Sequence, residues 1–427
     1  MTKTTQPLQK RRLFFRPPVF KWALYDWANS AFSTSIMAGF FPIFFKEYWS
    51  TGLDSATSTY YLGLANSVAG LALVVMSPFL GLFATSPARK KVGLAIFSLF
   101  GIANTLALPF IPAGSAVLAA SIFTLASIGF VSSFVFYDAL LTDIVDPKDY
   151  DQTSSYGYAL GYLGGGILFL INALMTIKPE LFGLTDAAEA VKVSFFSVGI
   201  WWLIFSLPLY LSPKSDFKPD PIDNDLHSPR DFWLELKNTF FEIKAHKILF
   251  YFLIAYFFYI EAVNTTIKMA IDYGLSIGLQ SSDMIKALLL VQFVAFPFAI
   301  LFGWIGQRFG SVTGLFICLF VYLGNSLFAH SITNAEEFFI MAALIGTVQG
   351  GMQALSRSHF ASLVPAEKSG PYFGFFNMLG RFSSVVGPVL IGFVSVQTQS
   401  PRSSIYVLVA FFALGLVFLL AHSRARA

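Results

Sequence analysis

Long apolar stretches alternate with short polar segments from end to end of the 427-residue chain. The apolar runs fall at about 20–45, 59–84, 92–112, 115–142, 155–177, 191–211, 247–269, 284–306, 311–330, 336–356, 371–397 and 404–422. Each approaches the roughly 20 residues that a helix needs to cross a bilayer. None shows the ten-residue alternation of a membrane barrel strand, and backbone in lipid must satisfy its own hydrogen bonds. The pattern predicts an all-α membrane protein with twelve transmembrane helices.

Composition strengthens that picture. Hydrophobic residues make up 56% of the chain and charged residues 12%, against roughly 25% charged in soluble domains, which excludes an ordinary soluble enzyme. The formal charge of +4 is no sign of nucleic acid, because the basic residues track the ends of the spans. With the N-terminus inside, the outer connections hold only Lys46, Lys178, Lys192, Lys286 and Arg402, with Lys268 and Arg381 inside spans. The rest, including Arg89, Lys90, Lys91, Lys148, Arg308 and Arg357, fall on inner segments. Lys and Arg are retained on the cytoplasmic side, so both termini are predicted to be cytoplasmic. Lys10, Arg11 and Arg12 ahead of the first apolar run resemble a signal peptide, but Asp26 and Asn29 within that run make it a retained first span.

The longest loop, 212–246, divides the chain into an N-terminal six-helix bundle (1–211) and a C-terminal one (247–427). From Pro213 to Pro229 the loop reads as a flexible acidic linker. Ser228 as N-cap and Pro229 then open an amphipathic helix, with Phe232, Trp233, Leu236, Phe240 and Ile243 opposite Glu235, Lys237, Glu242 and Lys244. Such a helix suits either the inner membrane interface or the underside of the bundle. An internal repeat supports two halves. Pro78-Phe79-Leu80-Gly81-Leu82-Phe83 recurs as Pro297-Phe298-Ala299-Ile300-Leu301-Phe302, and Tyr156-Gly157-Tyr158 recurs as Phe373-Gly374-Phe375 at nearly the same offset. Parallel six-helix repeats place a substrate site near the midplane between them.

Several motifs follow one another through both halves. They are Tyr25-Asp26-Trp27-Ala28-Asn29-Ser30, Phe136-Tyr137-Asp138-Ala139-Leu140-Leu141 and Gly157-Tyr158-Ala159-Leu160-Gly161-Tyr162-Leu163-Gly164. Ile267-Lys268-Met269-Ala270, Gln353-Ala354-Leu355-Ser356-Arg357-Ser358 and Phe373-Gly374-Phe375-Phe376-Asn377-Met378 follow. In these the chain resembles the autophagy-related vacuole effluxers and their bacterial permease relatives within the major facilitator superfamily. That resemblance implies the major facilitator fold, alternating access and amino-acid efflux. One departure stands out: where the superfamily has an acidic then a basic residue after its second helix, this chain has Thr85 and Ser86. The charge-paired latch of that motif is therefore not expected here.

Ionisable side chains inside spans are costly and point to function. Glu261, Thr265, Lys268 and Asp272 share one face of the seventh helix. Glu261, about 21 Å from the helix start, is a candidate for proton coupling, or for an ion pair that only orients helices. Asp26 is a second coupling candidate, in a stripe with Asn29, Ser30 and Ser33; Arg381, with Asn377 and Ser384, could bind an anionic group or close a gate against Asp26. Asp138, Lys268, Asn264, Gln349, Gln353 and Tyr162, with Gln292 and Asn66, complete the expected cavity lining, and interhelical hydrogen bonding is the plain alternative for each amide.

No metal or cofactor is expected: His330 and His359 lie apart, and Cys318 is alone in an apolar run. Gly161 and Gly164 to Gly166 form a small-residue packing face, and Asp143, Asp146, Asp149 and Asp151 read as a solvated acidic loop. The sequence thus predicts a non-enzymatic, monomeric secondary transporter of the bacterial inner membrane, moving a small organic solute, with a proton as the candidate coupling ion. A carrier of lysophospholipids or other amphiphiles, and a non-transporting receptor or scaffold, remain as alternatives.

Overall fold

The fold is described by a computed structural model over residues 13–219, 229–399 and 402–426. Twelve long helices follow the apolar runs: Pro17–Trp49, Ser55–Phe83, Pro87–Ala107, Ala116–Ile144, Tyr150–Ile177 and Ala187–Tyr210, then Lys247–Ser276, Ser281–Phe309, Ser311–Ala329, Ala335–Leu363, Ser369–Thr398 and Ile405–Arg426. They are numbered below as the first to twelfth spans. Among the described residues, eleven are long and apolar enough to cross a membrane. Ser369–Thr398 completes the set.

Polar caps mark several starts. The side chains of Asp54, Ser86, Asp186 and Asn334 each accept a hydrogen bond from a backbone N–H in the first turn. Pro78, Pro208 and Pro297 lie inside spans, where each removes one backbone hydrogen bond. The first span leaves α geometry for π geometry over Phe32–Phe40 and Phe45–Trp49, a departure that is rare and often found at functional sites.

In the first half, the first span packs against the fifth and sixth, and the fourth against the second and third. In the second half, the seventh packs against the eleventh and twelfth, and the tenth against the eighth and ninth. Two seams join the halves: second against eleventh, and fifth against eighth and tenth. Twelve crossings leave the start of the first span and the end of the twelfth on the side of the linker, called the linker side here.

The seam between the second and eleventh spans depends on backbone approach. A Cβ on Gly374 would lie 2.7 Å from the carbonyl oxygen of Ser77, and one on Gly370 would lie 2.6 Å from that of Gly81. All of these positions are at linker-side ends. The run at Gly161 and Gly164 to Gly166 does pack closely, chiefly on the first span, where a Cβ on Gly164 would meet the Trp27 ring at 2.6 Å.

The linker departs from its flexible reading in its first part. Lys218 Nζ donates to the carbonyls of Thr142 (2.9 Å) and Val145 (2.7 Å), and Lys21 pairs with Asp216 at 2.7 Å. The last carbonyls of a helix need donors, and Lys218 supplies them to the fourth span. Ser228 lies outside the described residues, as do the side chains of Pro229 to Phe232. The helix itself, Pro229–Ala245, turns Thr239 and Ile243 inward while Trp233 and Phe240 stay exposed, so only part of the expected apolar stripe is covered. Glu242 accepts from Lys368 Nζ (2.8 Å) and Tyr372 Oη (2.9 Å). The hydrogen bond from Lys368, and then that from Tyr372, hold its carboxyl below the usual range. This contact is therefore complete above the ordinary carboxyl pKa and is lost only as pH falls through the depressed value.

Replacing Gly374 by Val should lower stability by about 1–3 kcal/mol through overpacking of the seam. The same change at Gly392, on the same span with nothing within 4 Å of its Cβ position, should leave it unchanged. Thermal unfolding of the detergent-purified variants measures both.

Candidate functional site

The tenth span carries Arg357 into the contact between the halves, six residues before its linker-side end and so about 9 Å deep. Its guanidinium is 1% exposed and faces acids from two spans of the first half: Nη1 lies 3.1 Å from Asp138 Oδ1 and Nη2 lies 3.5 Å from Asp26 Oδ2. Nε donates to Ser154 Oγ and Nη2 to the Ser154 carbonyl, each at 2.9 Å. The rings of Trp22, Tyr137 and Tyr158 lie 4.7, 5.2 and 4.4 Å from the guanidinium carbon. Hydrogen bonds at its edge and π faces around it make a buried, permanently charged group tolerable.

The acids are held in turn. Tyr137 Oη donates to Asp26 Oδ2 at 2.8 Å, and Asn377 Nδ2 donates to Asp138 Oδ2 at 3.0 Å. The indole of Trp22 donates to the Tyr137 carbonyl at 3.0 Å and stacks on the Tyr137 ring. The chain Asp26, Arg357, Asp138, Asn377 therefore crosses between the halves three times. Away from the linker side, Tyr162 Oη donates to Gln353 Oε1 (2.8 Å) and accepts from Gln349 Nε2 (3.0 Å). Gln349, Gln353 and Arg357 recur every fourth residue, so one stripe of the tenth span holds both layers.

Arg381 stands one turn beyond Asn377, with its guanidinium 5.8 Å from the Phe134 ring, which is itself one turn from Asp138. The cation that meets Asp26 at 3.5 Å is Arg357. Asn264 donates to the Gly380 carbonyl at 3.0 Å, tying the seventh span to the eleventh beside Arg381. Glu261 is fully buried between the same two spans, where Oε1 accepts from the Gly387 N–H and from Thr265 Oγ1. Its Oε2 has no hydrogen-bond partner among the described residues. Lys268 lies farther along the seventh span and attracts Glu261 electrostatically.

Some expected residues stand elsewhere. Asn29 is buried one turn from Asp26, and its Nδ2 has no partner among the described residues. Gln292 packs beside Gly166. Asn66 is exposed and bonds its own helix at the Leu62 carbonyl. The side chains of Asp272 and Ser384 lie outside the described residues.

The acidic loop is a seam rather than a solvated cluster. Asp143 binds Lys90 at 2.7 Å, and Asp151 accepts from Ser311 (2.9 Å) and from Ser358 across the halves. Lys90, counted above as a loop charge, is buried and also donates to Ser369 Oγ at 2.8 Å. A charge-paired latch therefore exists despite Thr85 and Ser86, built on Lys90 instead. His359 Nε2 lies 2.9 Å from Nε2 of His422, a residue the sequence did not single out. The described residues contain no group of three or more His, Cys, Asp or Glu able to hold a metal.

Arg357, Ser154, Tyr137, Tyr158 and Trp22 were missed as site residues. The fourfold spacing of Gln349, Gln353 and Arg357 was the signal available. Counting Arg357 among the inner charges concealed it.

Residues 146–427 match the family described as "Vacuole effluxer Atg22 like". The chain is 36% identical over 402 residues to an uncharacterised MFS-type transporter, YxiO, of Bacillus subtilis, covering 93% of each. It is 27% identical over 321 residues to autophagy-related protein 22 of Vanderwaltozyma polyspora, covering 67% of this chain and 60% of that one. The match thus spans less than two thirds of that fungal relative. Among solved structures, it resembles the major facilitator FucP in the outward conformation (TM-score 0.71, 12% identity, 96% and 99% covered). It also resembles a bacterial homologue of ferroportin in the outward-facing state (TM-score 0.68, 12% identity, 96% and 98% covered).

Removing the guanidinium would leave two buried carboxylates uncompensated. Arg357→Gln should cost about 3–5 kcal/mol, read as a fall in thermal midpoint. Adding Asp26→Asn and Asp138→Asn to the same chain should restore most of the loss, because it removes the unpaired charge.

Proposed function

The chain belongs to the Atg22-like family of major facilitators and is an integral multi-pass membrane transporter, and from that premise we propose that it exports amino acids by alternating access. The reading places the linker side in the cytoplasm of a bacterial cell, across the inner membrane, in agreement with the distribution of Lys and Arg. It takes residues 1–211 and 247–427 as the two moving halves and 212–246 as the link between them. The protein works as a monomer.

The observation that carries the proposal is the buried charge set at the meeting of the halves. Arg357 and Arg381 together balance Asp26 and Asp138, so the set is neutral when all four are ionised. A zwitterionic solute enters such a set without adding net charge. Its carboxylate replaces part of the solvation of Arg381, whose planar fork suits that group. Its ammonium meets the carboxylate side at Asp138, with Tyr162, Gln349, Gln353 and Asn29 supplying neutral hydrogen-bonding groups. Asp26, Arg357, Asp138 and Ser154 form the cytoplasmic gate, backed by Lys90, Asp143 and Ser369. With these contacts made, the molecule is closed toward the cytoplasm, the state shared with outward-facing neighbours.

Proton coupling falls to Glu261 or Asp26. Glu261 has the geometry of a proton carrier: a fully buried carboxyl with one oxygen bonded by the Gly387 N–H and Thr265, and the other oxygen without a donor among the described residues. A buried acceptor without a donor is costly, and a proton on that oxygen removes the charge.

The amphiphile reading has one feature in its favour, an apolar side cleft lined by Phe14, Gln152, Tyr156, Ile300 and Trp304. Its volume of about 190 Å³ is small beside the roughly 300–1,000 Å³ of typical ligand sites, so the zwitterion reading is preferred.

Purified protein should gain thermal stability with amino acids and not with sugars or lysophospholipids, reaching about 2.7 kcal/mol at a hundred times the dissociation constant. Stabilisation by lysophospholipid alone would overturn the substrate class. In proteoliposomes, Arg381→Gln should raise KM at least about tenfold, the worth of roughly 1.4 kcal/mol. Glu261→Gln should retain solute exchange but lose acceleration by a proton gradient. Gradient-driven transport that survives Glu261→Gln would move coupling to Asp26, where Asp26→Asn tests it.

A further inference from the structure

The linker helix Pro229–Ala245 touches both halves and leaves one flank free. Its Trp233 ring meets Phe79 of the second span edge-on at 5.2 Å. Glu242 binds Lys368 and Tyr372, and Phe240 lies 6.3 Å from Phe375, all at the start of the eleventh span. The helix therefore lies across the glycine seam at Gly81, Gly370 and Gly374.

Around the helix axis, at about 100° per residue, the remaining surface is divided by chemistry. Asn238, Glu235 and Glu242 occupy one flank. Trp233, Leu234, Lys237, Phe241 and Lys244 occupy the other, where Trp233 is 63%, Leu234 57% and Phe241 51% exposed. Large apolar side chains interleaved with lysines, on a helix separated from the seventh span only by His246, match the boundary of a bilayer. There the rings enter the acyl edge and the ammonium groups meet phosphate. The acidic flank turns from that boundary toward Lys368.

We propose that this flank binds the anionic phospholipid headgroups of the adjacent leaflet, and that lipid binding holds the linker helix across the seam as a strap on the closed linker side. Opening that side separates the second span from the eleventh, so the helix must give up Phe79 or the Lys368 and Tyr372 contacts. Lipid that fixes the helix in place thereby favours the closed state. This proposal is independent of which solute is carried.

The full chain in nanodiscs provides the test, without any solute. Phosphatidylcholine discs are compared with discs carrying phosphatidylglycerol, and amide exchange is followed by mass spectrometry over residues 233–245, 79–90 and 366–374. Phosphatidylglycerol should slow exchange in all three segments at least about fivefold, the factor that one surface lysine is worth near an anionic membrane. Lys237→Gln with Lys244→Gln, both exposed positions, should abolish the lipid dependence, as should about 0.5 M salt by screening. Glu242→Gln should keep the lipid effect over 233–245 and lose it over 366–374. Equal exchange in both lipids overturns the proposal, as does a lipid effect that survives the double lysine variant. Protection that appears only in discs holding two copies of the chain would also overturn it, and would assign the flank to a second copy.

Discussion

Everything on the linker side is organised around one fixed charge. Arg357 cannot lose its proton, and water does not reach it, so the surrounding structure must supply what hydration would have supplied. Ser154, Asp138 and Asp26 satisfy its edge, while Trp22, Tyr137 and Tyr158 surround it with ring faces. Every one of these partners comes from the first half, whereas Arg357 comes from the second. The charge is therefore satisfied only while the halves meet at this level. A contact of this kind is strong when made and costly when half made, which suits a gate with two discrete states better than a gradual hinge.

The glycine seam and the Lys90 latch act at the same depth and lower the cost of that meeting. Backbone approach at Gly370 and Gly374 needs no side chain to repack, and Lys90 joins Asp143 of the first half to Ser369 of the second. The sequence lacks the acidic and basic pair that usually follows the second span in this superfamily. The interaction survives because the cation is placed one helical turn later, on the start of the third span, where it still reaches the end of the fourth. What matters physically is a buried cation between these helix ends, and its position along the chain can shift by a turn.

Much of this architecture was legible in the sequence, because lipid imposes a length and a polarity on each helix that few other environments impose. The twelve runs, the helix opening at Pro229, and the unusual polarity of Asp26, Asp138, Asn377 and Glu261 follow from that constraint alone. Arg357 and Lys90 were hidden by the same reasoning: basic residues near span ends are commonly topology signals, and nothing in local composition separates a solvated arginine from one drawn inward by acids on distant helices. Pairing between Asp26 and Arg357 depends on which faces of the first, fourth, fifth and tenth spans converge. That convergence is a tertiary fact. The ordered start of the linker was obscured in a similar way, since the carbonyls that Lys218 satisfies lie at the end of a helix far earlier in the chain.

Separating the gate from the proton site has a physical consequence for the transport cycle. The gate acids are already committed to Arg357 in the closed state, so a proton arriving there would weaken the closure it depends on. Glu261 stands outside that contact. It lies within the second half, between the seventh and eleventh spans, and the cation that acts on it is Lys268 of the same half. A proton can therefore be taken up at Glu261 without breaking the inter-half contact, and its effect can reach the gate through the eleventh span, which carries Gly387 beside Glu261, then Arg381, then Asn377 on Asp138. One helix thus connects the proposed proton site, the proposed solute anchor and the gate in spatial order. Alternating access requires such a link, because a driving ion that did not alter the energy of the gate could not be coupled to solute movement.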